Sequence, residues 1–161
     1  MLSKSGYNID NKNCWAGKER CEMIRFPMVK VTFNENVTDT TFKAKVEVAD
    51  VTFKKGMKTD EKLHALYDVI GCTMVEVAYI EVNGKEYTVF FDEEGKLGKW
   101  VPTLPLYNQD GKVYDVIANS FVVIKEDENE NFVPMDEKEF WDVTDYLRRE
   151  IPKAIKVVRN M

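Results

Sequence analysis

Three cysteines, one histidine and 28 carboxylates are the material this 161-residue chain has for chemistry. Metal binding through imidazole or thiolate needs several such ligands at short, regular separations. His64 is the only histidine, and Cys14 and Cys21 are seven residues apart without histidine partners. His64 lies beside an apolar stripe and reads as a surface or packing residue. No GxSxG elbow marks a nucleophilic serine. A P-loop, a helix-opening GxGxxG, an HExxH and a CxxC are all absent from the sequence. Asp92-Glu93-Glu94 has the composition of a solvated turn rather than an acid/base pair. The acidic run Glu126–Glu130 lacks EF-hand spacing and its central glycine. No catalytic residue, metal site or cofactor is therefore expected. Lys54, Lys55 and Lys58, and Arg148-Arg149, are small basic clusters without interleaved aromatics, so direct nucleic-acid binding is not expected either.

The elements that would position any site follow from patterning. Val29, Val31 and Phe33 alternate at the end of a strand over 23–33, and Pro27, which has no amide donor, predicts that this strand lies at an edge or is interrupted. Phe42, Ala44, Val46 and Val48 alternate with charged residues, then the apolar phase shifts to Val51 and Phe53, which predicts a bulge near Ala49-Asp50. Thr59 or Asp60 caps a helix with Leu63, Leu66, Tyr67 and Ile70 on one face, stopped by Gly71. Val75–Val82 and Lys85–Phe91 flank Asn83-Gly84, the sequence for a two-residue type I′ hairpin with Val82 facing Lys85 and Ile80 facing Tyr87. Gly95 is expected to be the left-handed residue of the following turn. Trp100–Asn108, with Pro102 and Pro105, reads as extended loop. A turn over 109–112 leads into the segment 113–119. The continuous run Phe121–Ile124 predicts a strand buried on both faces. Asp136 and Glu139 form a capping box opening a helix over 135–151, with Phe140, Val143 and Leu147 as its stripe and Pro152 ending or kinking it. The basic tail suits a helix C-terminus or a short final strand. The expected fold is α+β, a mainly antiparallel sheet built around an 80–91 hairpin with two helices packed on it. Residues 1–20 are polar and read as a loosely ordered arm, with Trp15 as a docking point, and 21–161 as a single domain.

Hydrophobic residues at 44% and charged residues at 32% are globular composition. No apolar run approaches the roughly 20 residues of a membrane span, and no signal-peptide core opens the chain. Three irregular cysteines fit a reducing cytoplasm. The net charge of −5 is uneven: residues 1–60 carry 11 Lys/Arg against 8 Asp/Glu, residues 91–140 carry 5 against 12. Such asymmetry can steer a partner.

Several short pieces occur in a suggestive order: Val69-Ile70-Gly71 into Val75-Glu76-Val77, Asp92-Glu93-Glu94-Gly95-Lys96-Leu97, Leu104-Pro105 with Asn108, Tyr114–Asn119, and Asn131-Phe132-Val133-Pro134-Met135 before an acidic helix start. In these, the segment from about Leu63 to Leu147, within a core of 60–150, resembles the DUF3846 group, small proteins of unknown function found in phages, plasmids and other bacterial mobile elements. Residues 21–58 are read as strands outside that core. The resemblance implies a mobile-element accessory protein, in the host-cell cytoplasm if phage-encoded. The expected function is a non-catalytic binder that antagonises a host defence component, by blocking a host protein or sequestering a small nucleotide-like signal. The alternatives are an acidic DNA mimic against restriction enzymes and an unrecognised small enzyme. Loops held on a rigid sheet are where binding usually resides. The candidate contacts are Asp92, Glu94, Gly95, Pro105, Asn108, Tyr114, Asp115 and Asn119. Self-association is expected from the edge character of the strand at 23–33.

Overall fold

The computed structural model describes residues 7–10, 21–33, 42–54 and 59–159. Along the chain run β1 (Tyr7–Asp10), β2 (Cys21–Phe33), β3 (Phe42–Lys54), α1 (Thr59–Ile70), β4 (Val75–Val82), β5 (Lys85–Asp92), β6 (Pro102–Tyr107), β7 (Val113–Ala118), β8 (Phe121–Glu126), β9 (Phe132–Val133) and α2 (Glu137–Arg159). The fold is α+β. Its main sheet has the lateral order β3-β2-β8-β5-β4, every pairing antiparallel, with β1 on the far edge of β2 from β3 and β9 on β8. β6 and β7 form a separate two-stranded sheet that packs against α2. Of the residues read as an N-terminal arm, 7–10 form a strand; Trp15 lies outside the described residues.

The hairpin forms as its sequence dictates. Asn83 and Gly84 have φ of 50° and 81°, both in the left-handed region that a type I′ turn requires. Val82 pairs with Lys85 and Ile80 with Tyr87. β8 is the central strand, and Phe121, Val122, Val123 and Ile124 are all fully buried.

Pairing across the ladders fixes which side chains share a face. Ala78, Ile80, Tyr87, Val89 and Val123 lie on one face, where the Tyr87 hydroxyl reaches Glu139 of α2. Val77, Tyr79, Thr88, Phe90, Val122 and Met28 lie on the other, which α1 and β9 cover. On that second face Phe132 meets Phe26, Phe53 and Phe90 edge-on, with ring centroids 6.4, 6.0 and 5.8 Å away. These contacts clip the 127–131 turn to the sheet.

β2 and β3 differ from expectation in two respects. Their register is unbroken from Cys21↔Lys54 to Phe33↔Phe42, so no bulge absorbs the phase shift. Ile24, Phe26, Ala49, Val51 and Phe53 are buried on the α1 face, while Val29, Val31, Ala44 and Val46 turn to the α2 face. The apolar pattern changes phase because the two ends of one long ribbon are covered from opposite sides. Nor is β2 an edge or interrupted strand. β3 flanks it along its whole length, β1 pairs over 21–24 and β8 over 28–29. Pro27 falls in the short gap between β1 and β8, where a missing amide costs no ladder bond. The premise for self-association through this strand is thereby removed.

Two further segments differ from expectation. Pro102–Tyr107 is a strand, not a loop; in a two-stranded sheet each strand has a free side toward which a proline nitrogen can point. α2 runs through Pro152 to Arg159, eight residues past the expected stop. Pro152 is exposed and forfeits the bond to the Arg148 carbonyl. Leu147, Ile151, Ala154 and Val158 nevertheless continue the stripe at helical spacing, with Ala154 fully buried. Tertiary burial holds a helix that local propensity would end.

Candidate functional site

Six of the eight candidate residues come together where the turn after β5 meets the β7–β8 corner. The Glu94 amide donates to Asp92 Oδ1 at 2.9 Å and the Gly95 amide to the Asp92 carbonyl at 3.1 Å. Asn119, with φ of 64°, is the hub. Its amide donates to the Val101 carbonyl, its Oδ1 accepts from the Val101 amide, both at 3.0 Å, and its Nδ2 donates to the Gly95 carbonyl at 3.2 Å. Its own carbonyl accepts from Thr103 Oγ1 at 2.7 Å. Asparagine tolerates the left-handed region and supplies both a donor and an acceptor, which this corner uses together.

Gly95 does not have the left-handed conformation expected of it; among the described residues the positive-φ glycines are Gly71, Gly84 and Gly111. It is buried, and a Cβ there would stand 3.2 Å from the Asp92 carbonyl oxygen and 3.4 Å from that of Ala118. Its role is close approach between the turn and β7.

Asp115 accepts from Lys96 Nζ at 2.7 Å, and Lys96 Nζ lies 5.6 Å from the centre of the Trp100 ring. This pair forms the rim of a groove of about 340 Å³ between β7 and the end of α2, lined by Trp100, Val113, Tyr114, Val116, Val157 and Val158 besides the pair itself. Tyr114 stands 60% exposed on it, and Leu97, one residue beyond Lys96, is 82% exposed. A smaller hollow of about 90 Å³ adjoins, walled by Asp92, Glu93, Phe91 and Ala118 among others.

Pro105 and Asn108 are not part of this site. Pro105 is buried in β6 opposite Val116. Asn108 builds the β6–β7 turn, its Oδ1 accepting from the amides of Asp110 at 2.9 Å and Lys112 at 3.0 Å.

The most constrained ionisable group lies elsewhere. Glu139 is 3% exposed; its Oε1 accepts from Lys125 Nζ at 2.8 Å and the Asp136 amide at 3.0 Å. Lys85 Nζ and the Tyr87 hydroxyl stand 3.4 Å from Oε2. Burial alone would raise this carboxyl's pKa, but the lysines and the backbone amide outweigh it and hold it at about 2. Burial and the Glu139 charge in turn push the Tyr87 phenol up. The capping box is visible in the sequence; the burial of its glutamate and its two lysines are not. Glu150 is a second such case, 5% exposed and bonded to the Tyr107 hydroxyl at 2.6 Å and Lys153 at 2.7 Å. Neither carboxylate lines a cavity described above, and both tie α2 to its neighbours.

A second cavity, of about 370 Å³, lies over the α1 face of β4 and β5. Lys62, Leu63, Val77, Tyr79, Phe90 and Phe132 line it, with Glu126 and the 129–131 turn closing one side. Sequence reading did not single it out, since its residues come from five separate elements. Among the described residues no cluster of three or more His, Cys, Asp or Glu side chains could hold a metal ion, and no helix is long and apolar enough to cross a membrane.

The model of a family described as a domain of unknown function, DUF3846, matches residues 39–148. The chain belongs to this family. No curated protein and no solved structure matches it. The DUF3846 match takes in β3 and α1 as well as the segment on which the resemblance rests, and all eight candidate residues fall inside it. Val157 and Val158 do not, so one wall of the groove is built by residues beyond the matched region.

Proposed function

We propose that this DUF3846 protein is a non-catalytic binding protein that antagonises a host defence component by seating part of a host protein in the β7–α2 groove. The observation that carries the reading is the groove itself, an apolar trough lined by the exposed Tyr114 and by Trp100, with a single cation on its wall, Lys96, already paired with Asp115. Aromatic and aliphatic anchors around a small polar rim are the composition of a protein-contact patch. A nucleotide-like signal calls for uncommitted cations or a helix N-terminus around its phosphates. The groove lies at the C-terminal end of α2, the negative end of the helix dipole, and the two cations of that last turn, Lys156 and Arg159, are not among its lining residues. Among the described residues the carboxylates whose pKa departs clearly from the ordinary value, Asp127, Glu139 and Asp142, move down, whereas a general acid near neutral pH needs one moved up.

Pull-down from a bacterial lysate, with mass spectrometry of retained proteins and small molecules, tests this reading. A protein retained by the wild type and lost with Tyr114→Ala combined with Val157→Glu supports it, provided that protein belongs to a defence system the chain weakens on co-expression. Retention indifferent to the groove substitutions sinks it. A nucleotide recovered in its place would turn the reading to signal sequestration, with thermal shift against cyclic and ADP-ribose-type nucleotides as the check.

A further inference from the structure

We infer that the outer edge of β4 is a second binding site, one that takes an extended basic segment of a partner as an added antiparallel or parallel strand. Among the described residues no strand pairs with the outer side of β4, the last strand of the main sheet. Strand edges left open are usually blunted by charged side chains (lysine above all), proline, a bulge or a covering loop, and the charges β4 carries, Glu76 and Glu81, repel only an acidic or like strand. β4 reads Val-Glu-Val-Ala-Tyr-Ile-Glu-Val, without lysine or proline, and its register with β5 is unbroken over eight residues.

The type I′ hairpin decides which groups face outward. Its closing pair, Val82 and Lys85, is hydrogen-bonded across the ladder, so alternate positions point the other way. The amides and carbonyls of Val75, Val77, Tyr79 and Glu81 are therefore directed away from β5. Val77 at 44% and Tyr79 at 58% exposure carry their side chains onto the α1 face, where both line the 370 Å³ cavity. An added strand would place alternate side chains beside them, at the mouth of that cavity. This is the geometry by which strand addition combines main-chain affinity with side-chain choice.

Charge selects the occupant. Glu81 stands directly opposite Glu86 on the same face, an arrangement that destabilises an isolated ladder. Neither is in an ion pair among the described residues. Glu126 and Glu130 line the far side of the cavity. The one lysine on its wall, Lys62, donates to Asn131 at 3.1 Å and sits 5.9 Å from the Phe132 ring centre. A second copy of this chain would add an edge strand whose own charges, Glu76 and Glu81, are both acidic, so it offers no cation to Glu81 and Glu86. A segment alternating Lys or Arg with aliphatic residues matches both the acids and the apolar floor. The site is separate from the β7–α2 groove and does not depend on it.

The test uses the full chain and a fluorescein-labelled eight-residue peptide alternating lysine with valine or isoleucine, read by anisotropy. Three comparison peptides are oligolysine, the same alternation with glutamate for lysine, and the basic peptide with a central proline. The alternating basic peptide is expected to bind at least ten-fold tighter than each of the three, and less tightly as salt rises. Glu81→Lys with Glu86→Lys, at two exposed positions, should weaken it ten-fold or more while leaving the circular dichroism unchanged. Val77→Pro, which removes one outward amide, should abolish binding. If Val77→Pro does not fold, the charge-reversed variant still decides the matter. Equal binding of oligolysine, no binding at all, or indifference to the charge reversal would overturn the inference.

Discussion

Glu139 is a capping-box residue whose side chain is 3% exposed and lies within 3.4 Å of two lysines. Replacing it by glutamine keeps the shape and removes the charge. The lysines, partly exposed, can rehydrate, so the expected loss is about 1–3 kcal/mol at pH 7 in urea unfolding. The pH dependence has a definite sign. The folded-state pKa, about 2, lies below the ordinary 4.5, so the stability this carboxylate contributes is complete above about pH 4.5 and disappears as pH falls toward 2. Unfolding curves of wild type and Glu139→Gln should converge over that interval. A difference that stays constant from pH 7 to pH 2 would show that the charge is not what matters. At this scale the sequence was legible in part: Asp136 and Glu139 reveal the cap, and Asn83-Gly84 the turn. Gly95 departs from its expectation, because glycine serves both positive φ and close approach and only the position of Ala118 distinguishes them.

The last helix poses the problem of propensity against burial. Pro152 sits in the interior of α2 with its side chain exposed, where proline costs up to about 3 kcal/mol relative to alanine. Pro152→Ala should restore the missing bond to Arg148 and raise stability by about 1–2 kcal/mol, seen as a higher denaturation midpoint with an unchanged slope. A loss of stability would mean that packing of Val157 and Val158 at the groove needs a bend at the proline. The β2–β3 ribbon carries the same lesson. Its change of apolar phase is plain in the sequence, but a bulge and a change of covering face produce the same pattern. Only the positions of α1 and α2 distinguish them.

For the molecule as a whole, β8 is flanked by β5 and β2, and Phe132 joins the β8–β9 turn to three other phenylalanines. Amide exchange should be slowest in β8 and β5 and faster in β6 and β7, whose two-stranded sheet leaves half of its backbone groups unpaired. Phe132→Ala should cost about 3–5 kcal/mol and speed exchange on the α1 face before the α2 face. Uniform acceleration on both faces would instead mean that the sheet and its two helices unfold as one unit.

The absence of familiar catalytic spacings, the hairpin, the helix starts and the buried run of β8 could all be read from the chain by itself, because each depends on residues within a few positions of one another. The candidate loops were legible too, and the structure gathers Asp92, Glu94, Gly95, Tyr114, Asp115 and Asn119 into one corner while assigning Pro105 and Asn108 to the β6–β7 hairpin. The groove wall from Val157 and Val158, the buried charge of Glu139 and the place of β4 at the end of the main sheet's described strands were decided only by the tertiary structure. Each depends on which distant element covers a face, and burial of a face leaves no local spacing to read.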